Sequence, residues 1–286
     1  MSTVLFCDSN CELWYDTAEK YGLKVISMPY TIDNKEYFYD LGRNTDFKDF
    51  YARIRKGSVP ITSALNEFNY TEYFEPVLEA GNDIIYLSFS HQMSGTFASM
   101  ERAIGELKKQ YPERSVTCID TKSICLGAGI VVLEAAKLFA AGGLSDAEFI
   151  ERVKELIGKT RSYFTVDDLH HLKRGGRISG GAAVIGTILN LKPLLRLNAE
   201  GKIENFAKVK GRQNAIEALI DRAAEADIDL SRPAYLIDAD ATDAETFHQM
   251  FAERFGNPPE TVNQTIGPVI GTHCGPGTLG ICFLTK

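Results

Sequence analysis

The sequence predicts an α/β fold, with an open, mostly parallel sheet domain over residues 1–160 and a smaller α+β domain over residues 161–286. Three observations lead to it. Short β-rich runs alternate with patterns of helical length through the first half, and strands separated by such helices imply a parallel sheet with helices on its faces. Past residue 160 the rhythm changes: Lys192–Leu197 and Lys202–Val209 flank Asn198-Ala-Glu-Gly201 as the arms of a β-hairpin flank its turn. No low-complexity linker or internal repeat separates the halves, so they are expected to pack tightly and leave a cleft between them.

In chain order, a strand is expected at Val4–Cys7, a helix at Cys11–Tyr21, a strand at Lys24–Met28 and a helix at Asp46–Lys56. The amphipathic stretch Asn66–Ala80 carries Pro76, a point where a helix can break because proline lacks an N–H. Asp83–Phe89 reads as a strand feeding a helix from about Thr96, and Val116–Ile119 as a strand before the apolar helix Ser123–Ala141, stopped by Gly142-Gly143. Ser145-Asp-Ala-Glu148 is a capping-box pattern opening the helix Ser145–Ile157. After the hairpin come a helix at Gln213–Ala226, a strand at Ala234–Ile237, a helix at Asp243–Phe255 and a last strand at Ile281–Leu284.

Bulk properties exclude several function classes. A formal charge of −7 argues against nonspecific nucleic-acid binding, which depends on basic residues facing phosphates. No run of ~20 uncharged apolar residues and no basic-then-apolar start is found, so a cytoplasmic protein without a transmembrane segment is expected. The six cysteines form no C-x-x-C pair and read as free thiols, and neither they nor the five histidines stand at metal-ligand spacing. Lys173-Arg-Gly-Gly-Arg-Ile-Ser-Gly-Gly181 is basic and glycine-rich but lacks P-loop spacing, and no G-x-G-x-x-G follows a strand, so no nucleotide cofactor is expected.

Four segments hold candidate site residues, and a small basic cluster lies apart from them. Ile266-Gly-Pro-Val-Ile-Gly-Thr-His-Cys-Gly-Pro-Gly-Thr-Leu-Gly280 sets His273 among glycines and prolines, and is expected to form an extended, rigid wall around that one polar group. His273 reads either as a histidine satisfied by a backbone carbonyl or as a donor to an anion that favours its protonated form. Ser94-Gly95-Thr96 lies between a strand and a helix, where free N–H groups favour a carboxylate or phosphate, although Ser94 or Thr96 also suits a simple N-cap. Pro60-Ile-Thr62-Ser63 precedes the stretch Asn66–Ala80 and by itself reads as a cap. Arg174 and Arg177 in the glycine-rich segment read as part of a solvated basic turn, and Lys208, Lys210 and Arg212 as a solvated basic face.

Together with Asp8-Ser-Asn-Cys-Glu-Leu13, these segments follow one another as in the DegV family of fatty-acid-binding proteins, which the sequence resembles over nearly its whole length. The resemblance implies a DegV-like fold enclosing one long-chain fatty acid. It implies that Thr62 and Ser94 hold the carboxyl group with His273 in the same network, supported by Ser63, Gly95, Thr96, Arg174 and Arg177. Ala64-Leu65-Asn66 stands where the family usually has Gln-Pro-Ser, so no role passes to the residues after Ser63. Members can present the bound acid to a separate fatty-acid kinase, and Lys208, Lys210 and Arg212 could help such docking.

The expected function is therefore that of a lipid-binding carrier without catalysis of its own. Two alternatives stay open. One is a serine hydrolase using Ser94, for which His273 is a possible base but no third member is identifiable. The other is a regulator that senses a small acid. A Cys274–His273 hydrolase is disfavoured, since neighbours on an extended chain point to opposite faces.

Overall fold

The alternation read in the first half becomes parallel pairing. In chain order the elements are β1 (Thr3–Asp8), α1 (Tyr15–Lys20), β2 (Lys24–Ile26), β3 (Pro29–Ile32), β4 (Lys35–Phe38), α2 (Phe47–Arg55), β5 (Ile61–Thr62), α3 (Glu67–Glu79), β6 (Asp83–Ser88), α4 (Thr96–Gln110), β7 (Val116–Asp120), α5 (Leu126–Ala141) and α6 (Asp146–Lys159). There follow β8 (Thr160–Thr165), α7 (His170–Arg174), β9 (Leu191–Leu197), β10 (Ile203–Lys210), α8 (Arg212–Glu225), β11 (Ala234–Asp238), α9 (Ala244–Phe255), β12 (Thr261–Thr265), α10 (Pro268–Cys274) and β13 (Leu279–Leu284). This computed structural model describes residues 2–178, 190–256 and 260–286. The end of the basic glycine-rich segment, Ser179 to Gly181, lies outside the described residues.

The four-stranded sheet has the order β2-β1-β6-β7 and is parallel throughout. Its two central strands are the most apolar, as burial on both faces demands. At their carboxyl ends the buried Asp8 accepts hydrogen bonds from Phe89 N at 3.0 Å, Tyr86 Oη at 2.9 Å and Asn10 N at 3.0 Å, which fixes the loops leaving β1 and β6. A small antiparallel sheet, β4-β3-β5, was not legible in the sequence: strands of four, four and two residues are too short to show a period.

The second half forms a six-stranded sheet of order β10-β9-β8-β13-β11-β12, antiparallel except for the β11–β12 pair. Successive side chains alternate between its faces. Tyr163, Leu194, Leu236, Ile281 and Phe283 form a core with α8 and α9, whereas Phe164, Leu195, Ile237 and Cys282 join the core of the first half. One apolar core therefore runs from the parallel sheet to the inner face of the six-stranded one.

Three expectations are corrected. Cys11–Tyr21 is not one helix: a single 3-10 turn, Ser9–Cys11, ends at Glu12 with φ 60°, and α1 begins only at Tyr15. Pro76 does not break α3, which runs unbroken past it to Glu79. The glycine-proline run is not extended around His273 but forms α10, because Pro268 sits at the first helical turn, where its missing N–H costs nothing. The sequence reading also passed over β8 and β12, whose residues TRSYFT and TVNQT lack a clear apolar alternation.

Candidate ligand-binding site

Thr62 stands on the two-residue strand β5, paired opposite Tyr30 of β3, and His273 stands on the last turn of α10. These two residues, 211 positions apart, meet with Thr62 Oγ1 2.9 Å from His273 Nε2. Every other residue of α10 is buried, so the helix is held all round and its one partly exposed side chain is directed into the site. Gly175 packs against the opposite edge of the ring: a β-carbon there would overlap His273 Nδ1.

Burial, and then the positive charges of Arg177 and Arg174, push His273 down to about 3, so its imidazole is neutral. A neutral imidazole has one N–H and one acceptor nitrogen. Nδ1 is buried without a partner among the described residues, and an unpaired buried N–H is rarer than an unpaired acceptor. The better-satisfied tautomer carries its proton on Nε2 and donates to Thr62 Oγ1. The Thr62 hydroxyl proton is then free for another acceptor.

Ser94 lies in the loop between β6 and α4, where its Oγ accepts from Thr96 N at 3.2 Å and keeps its own proton to donate. Gly95 is exposed at the N-cap of α4 and offers no side chain. Thr96 is buried, and its hydroxyl is engaged by Leu65 N at 3.1 Å, Leu65 O at 3.2 Å and Tyr70 Oη at 3.0 Å. Ser63 is exposed at the rim. Arg177 donates through Nε to Met93 O at 2.9 Å and through Nη1 to Gly175 O, tying the glycine-rich segment to the loop that carries Ser94. Arg174 is exposed beside His171, 3.1 Å from its Nδ1.

Thr62, Ser63, Ser94, Thr96, Arg177 and His273 line one cavity, with about 950 Å³ not occupied by atoms and part of it open to solvent. The rest of its wall is mostly apolar. Met28, Phe89, Ile124, Val269 and Ile270 come from around the parallel sheet and α10, and Phe164, Leu197, Ile203, Ile237 and Cys282 from the inner face of the six-stranded sheet. Of this apolar wall the sequence points only to the run that holds Val269 and Ile270. The alternation in the strands was a usable signal for two faces, but it does not say which of them meets the other half.

The basic cluster divides. Arg212 is built into the fold, donating to Asp243 at 2.7 and 2.9 Å and to Gly277 O at 2.6 Å, so it is no part of a solvated face. Lys208 and Lys210 are exposed on β10. All six cysteines are free, and burial pushes the Cys274 thiol up to about 12, far from a reactive thiolate. Among the described residues no cluster of His, Cys, Asp or Glu is placed to hold a metal ion, and no helix is long and apolar enough to cross a membrane.

Comparison with known proteins agrees with this architecture. A DegV domain-containing protein of Clostridium perfringens is 37% identical over 283 residues, 98% of this chain and 97% of its own length. A DegV family protein from Thermus thermophilus, described as fatty-acid-binding, superposes with a TM-score of 0.86 at 30% identity over the full length of both chains. DegV of Bacillus subtilis, described as a fatty acid binding protein, superposes with a TM-score of 0.84 at 29% identity, again over both full lengths. The DegV family profile, described as that of an uncharacterised protein, matches residues 2–286, and the chain belongs to the DegV family.

Proposed function

We propose that the protein binds one long-chain fatty acid, with its carboxylate at Thr62, Ser94 and the His273-oriented network and its tail along the apolar wall. The observation that carries the reading is the Thr62–His273 pair, set beside Arg177 on an otherwise largely apolar cavity. The hydroxyls of Thr62 and Ser94 each retain a proton to donate, and a carboxylate accepts several such bonds. His273 acts on Thr62 by accepting none of that proton and donating to its oxygen. The fatty-acid binding of the Thermus and Bacillus relatives supports the same ligand class.

The energetics divide the work. An alkyl chain gains ~0.8 kcal/mol per buried methylene, whereas one hydrogen bond to a charged group gives about 1.5–3 kcal/mol. The tail then dominates affinity and the head group fixes direction. A hydrolase at Ser94 is less well supported, because Ser94 Oγ is bonded to Thr96 N and His273 Nε2 to Thr62, leaving no imidazole paired with that hydroxyl.

Solvent extraction of the purified protein and native mass spectrometry test the reading. About one equivalent of a long-chain acid is expected, since deep tail burial makes release slow. Protein that is uniformly ligand-free and does not bind added fatty acid overturns it. Presentation of the acid to a separate acyl kinase is a further part of the proposal, in which Lys208 and Lys210, exposed on β10, face the kinase. Their charge reversal should slow association with the kinase and leave fatty-acid affinity unchanged.

A further inference from the structure

The head-group site leaves two buried carboxyl groups of the opening motif unused: Asp8, which fixes the loops leaving β1 and β6, and Glu12. Glu12 is 0% exposed and adopts φ 60°, a conformation that costs a non-glycine residue free energy and persists only where surroundings enforce it. Its side chain reaches across the core to the start of α10. Gly267 N donates to Oε1 and Oε2, both at 3.0 Å, and Tyr39 Oη donates to Oε2 at 2.8 Å. The side-chain amide of Gln264 donates to the backbone carbonyl of Glu12, and Tyr51 Oη donates to Ile266 O at 2.7 Å.

These bonds clamp the chain from Gln264 to Gly267 to the first half of the protein. The fit leaves no slack: a β-carbon at Gly267 would overlap the Tyr39 ring, and one at Gly271 would come 2.5 Å from Tyr51 Oη. His273 lies six positions after Gly267 on the same short helix, so a tilt at one end is carried to the other. Burial raises the Glu12 carboxyl to about 8, which marks how unfavourable its charge is there. The group therefore sits there as a largely neutral carboxyl at pH 7, held in place by the donors Gly267 N and Tyr39 Oη.

We propose that Glu12 is a positioning residue for the head-group site: by holding Gly267 it sets α10 so that His273 meets Thr62. The inference rests on the fatty-acid reading above. Two variants separate reach from charge. Glu12→Asp keeps the carboxyl group but withdraws it by one methylene from Gly267, and Glu12→Gln keeps an oxygen at the same reach without ionising.

The experiment titrates both variants, wild type and Thr62→Ala with palmitate and methyl palmitate, and follows the ¹⁵N imidazole signals of His273, after thermal melts establish folding. Glu12→Asp should weaken palmitate about tenfold, the loss of one charge-assisted bond from Thr62 to the palmitate carboxylate, with methyl palmitate little changed and the His273 signals shifted. Glu12→Gln should stay close to wild type. If Thr62→Ala loses acid preference while Glu12→Asp keeps wild-type preference and His273 signals, or loses acid and ester equally, the positioning role is overturned and the head-group reading stands. If Thr62→Ala itself leaves acid preference unchanged, the head-group reading falls and takes the positioning role with it.

Discussion

Gly175 stands directly against the imidazole of His273, where any β-carbon would overlap Nδ1. Its backbone, at φ −72°, suits every residue, so what excludes a side chain here is the ring and not the backbone. The adjacent Gly176 is the converse, with φ +70° and open space around it.

Gly175→Ala should therefore displace His273 from Thr62 and weaken fatty-acid binding by about tenfold, with the methyl ester little affected. Gly176→Ala should cost about 1 kcal/mol of stability through backbone strain and leave both ligands unaffected. Calorimetric titration and denaturant unfolding of the pair check this. Equal binding losses in the two variants would count against a steric role for Gly175.

Thr62→Ala and Ser94→Ala each remove one hydroxyl donor, so each should lower fatty-acid affinity about tenfold to a hundredfold. The methyl ester has no negative charge and should respond much less. Should wild type and both variants prefer acid over ester to the same degree, the carboxyl group binds elsewhere.

Asp8 is pushed from 3.8 up to about 7 by burial, against the opposing effect of its bonds from Phe89, Tyr86 and Asn10. A raised acid holds a proton in the folded state that the unfolded chain has released, so its contribution is full below pH 3.8 and is lost as pH rises through about 7. Relative to Asp8→Asn, wild-type stability should fall by about 1.4 kcal/mol per pH unit over that window. Urea unfolding at several pH values measures the difference, and parallel curves would refute the assignment.

Arg212 joins α8 to Asp243, with side chains only 20% and 28% exposed, and holds the Asp243 carboxyl below its ordinary range. Arg212→Ala should reduce stability by about 1–3 kcal/mol without changing fatty-acid affinity. A variant that unfolds like wild type would return Arg212 to the solvated cations.

What the sequence determined by itself was whatever depends on neighbours along the chain. Ser145 and Glu148 close their capping box as read, the apolar runs Asp83–Ser88 and Leu126–Ala141 become central strand and buried helix, and Leu191–Lys210 forms its hairpin. Motif order was enough to bring Thr62, Ser94 and His273 to one cavity wall. Tertiary structure decided the rest. The packing of α10 is one such case: Gly267 lies against the Tyr39 ring and Gly271 against Tyr51 Oη, where a β-carbon would overlap, and no local pattern encodes those neighbours. The neutral state of His273 likewise comes from burial and from two arginines a hundred residues away in sequence, and Glu12 acquired its partners only when Gly267 arrived from the far end of the chain. Periodicity records which side chains will be buried together on one element; it does not record which element, from which half, will bury them.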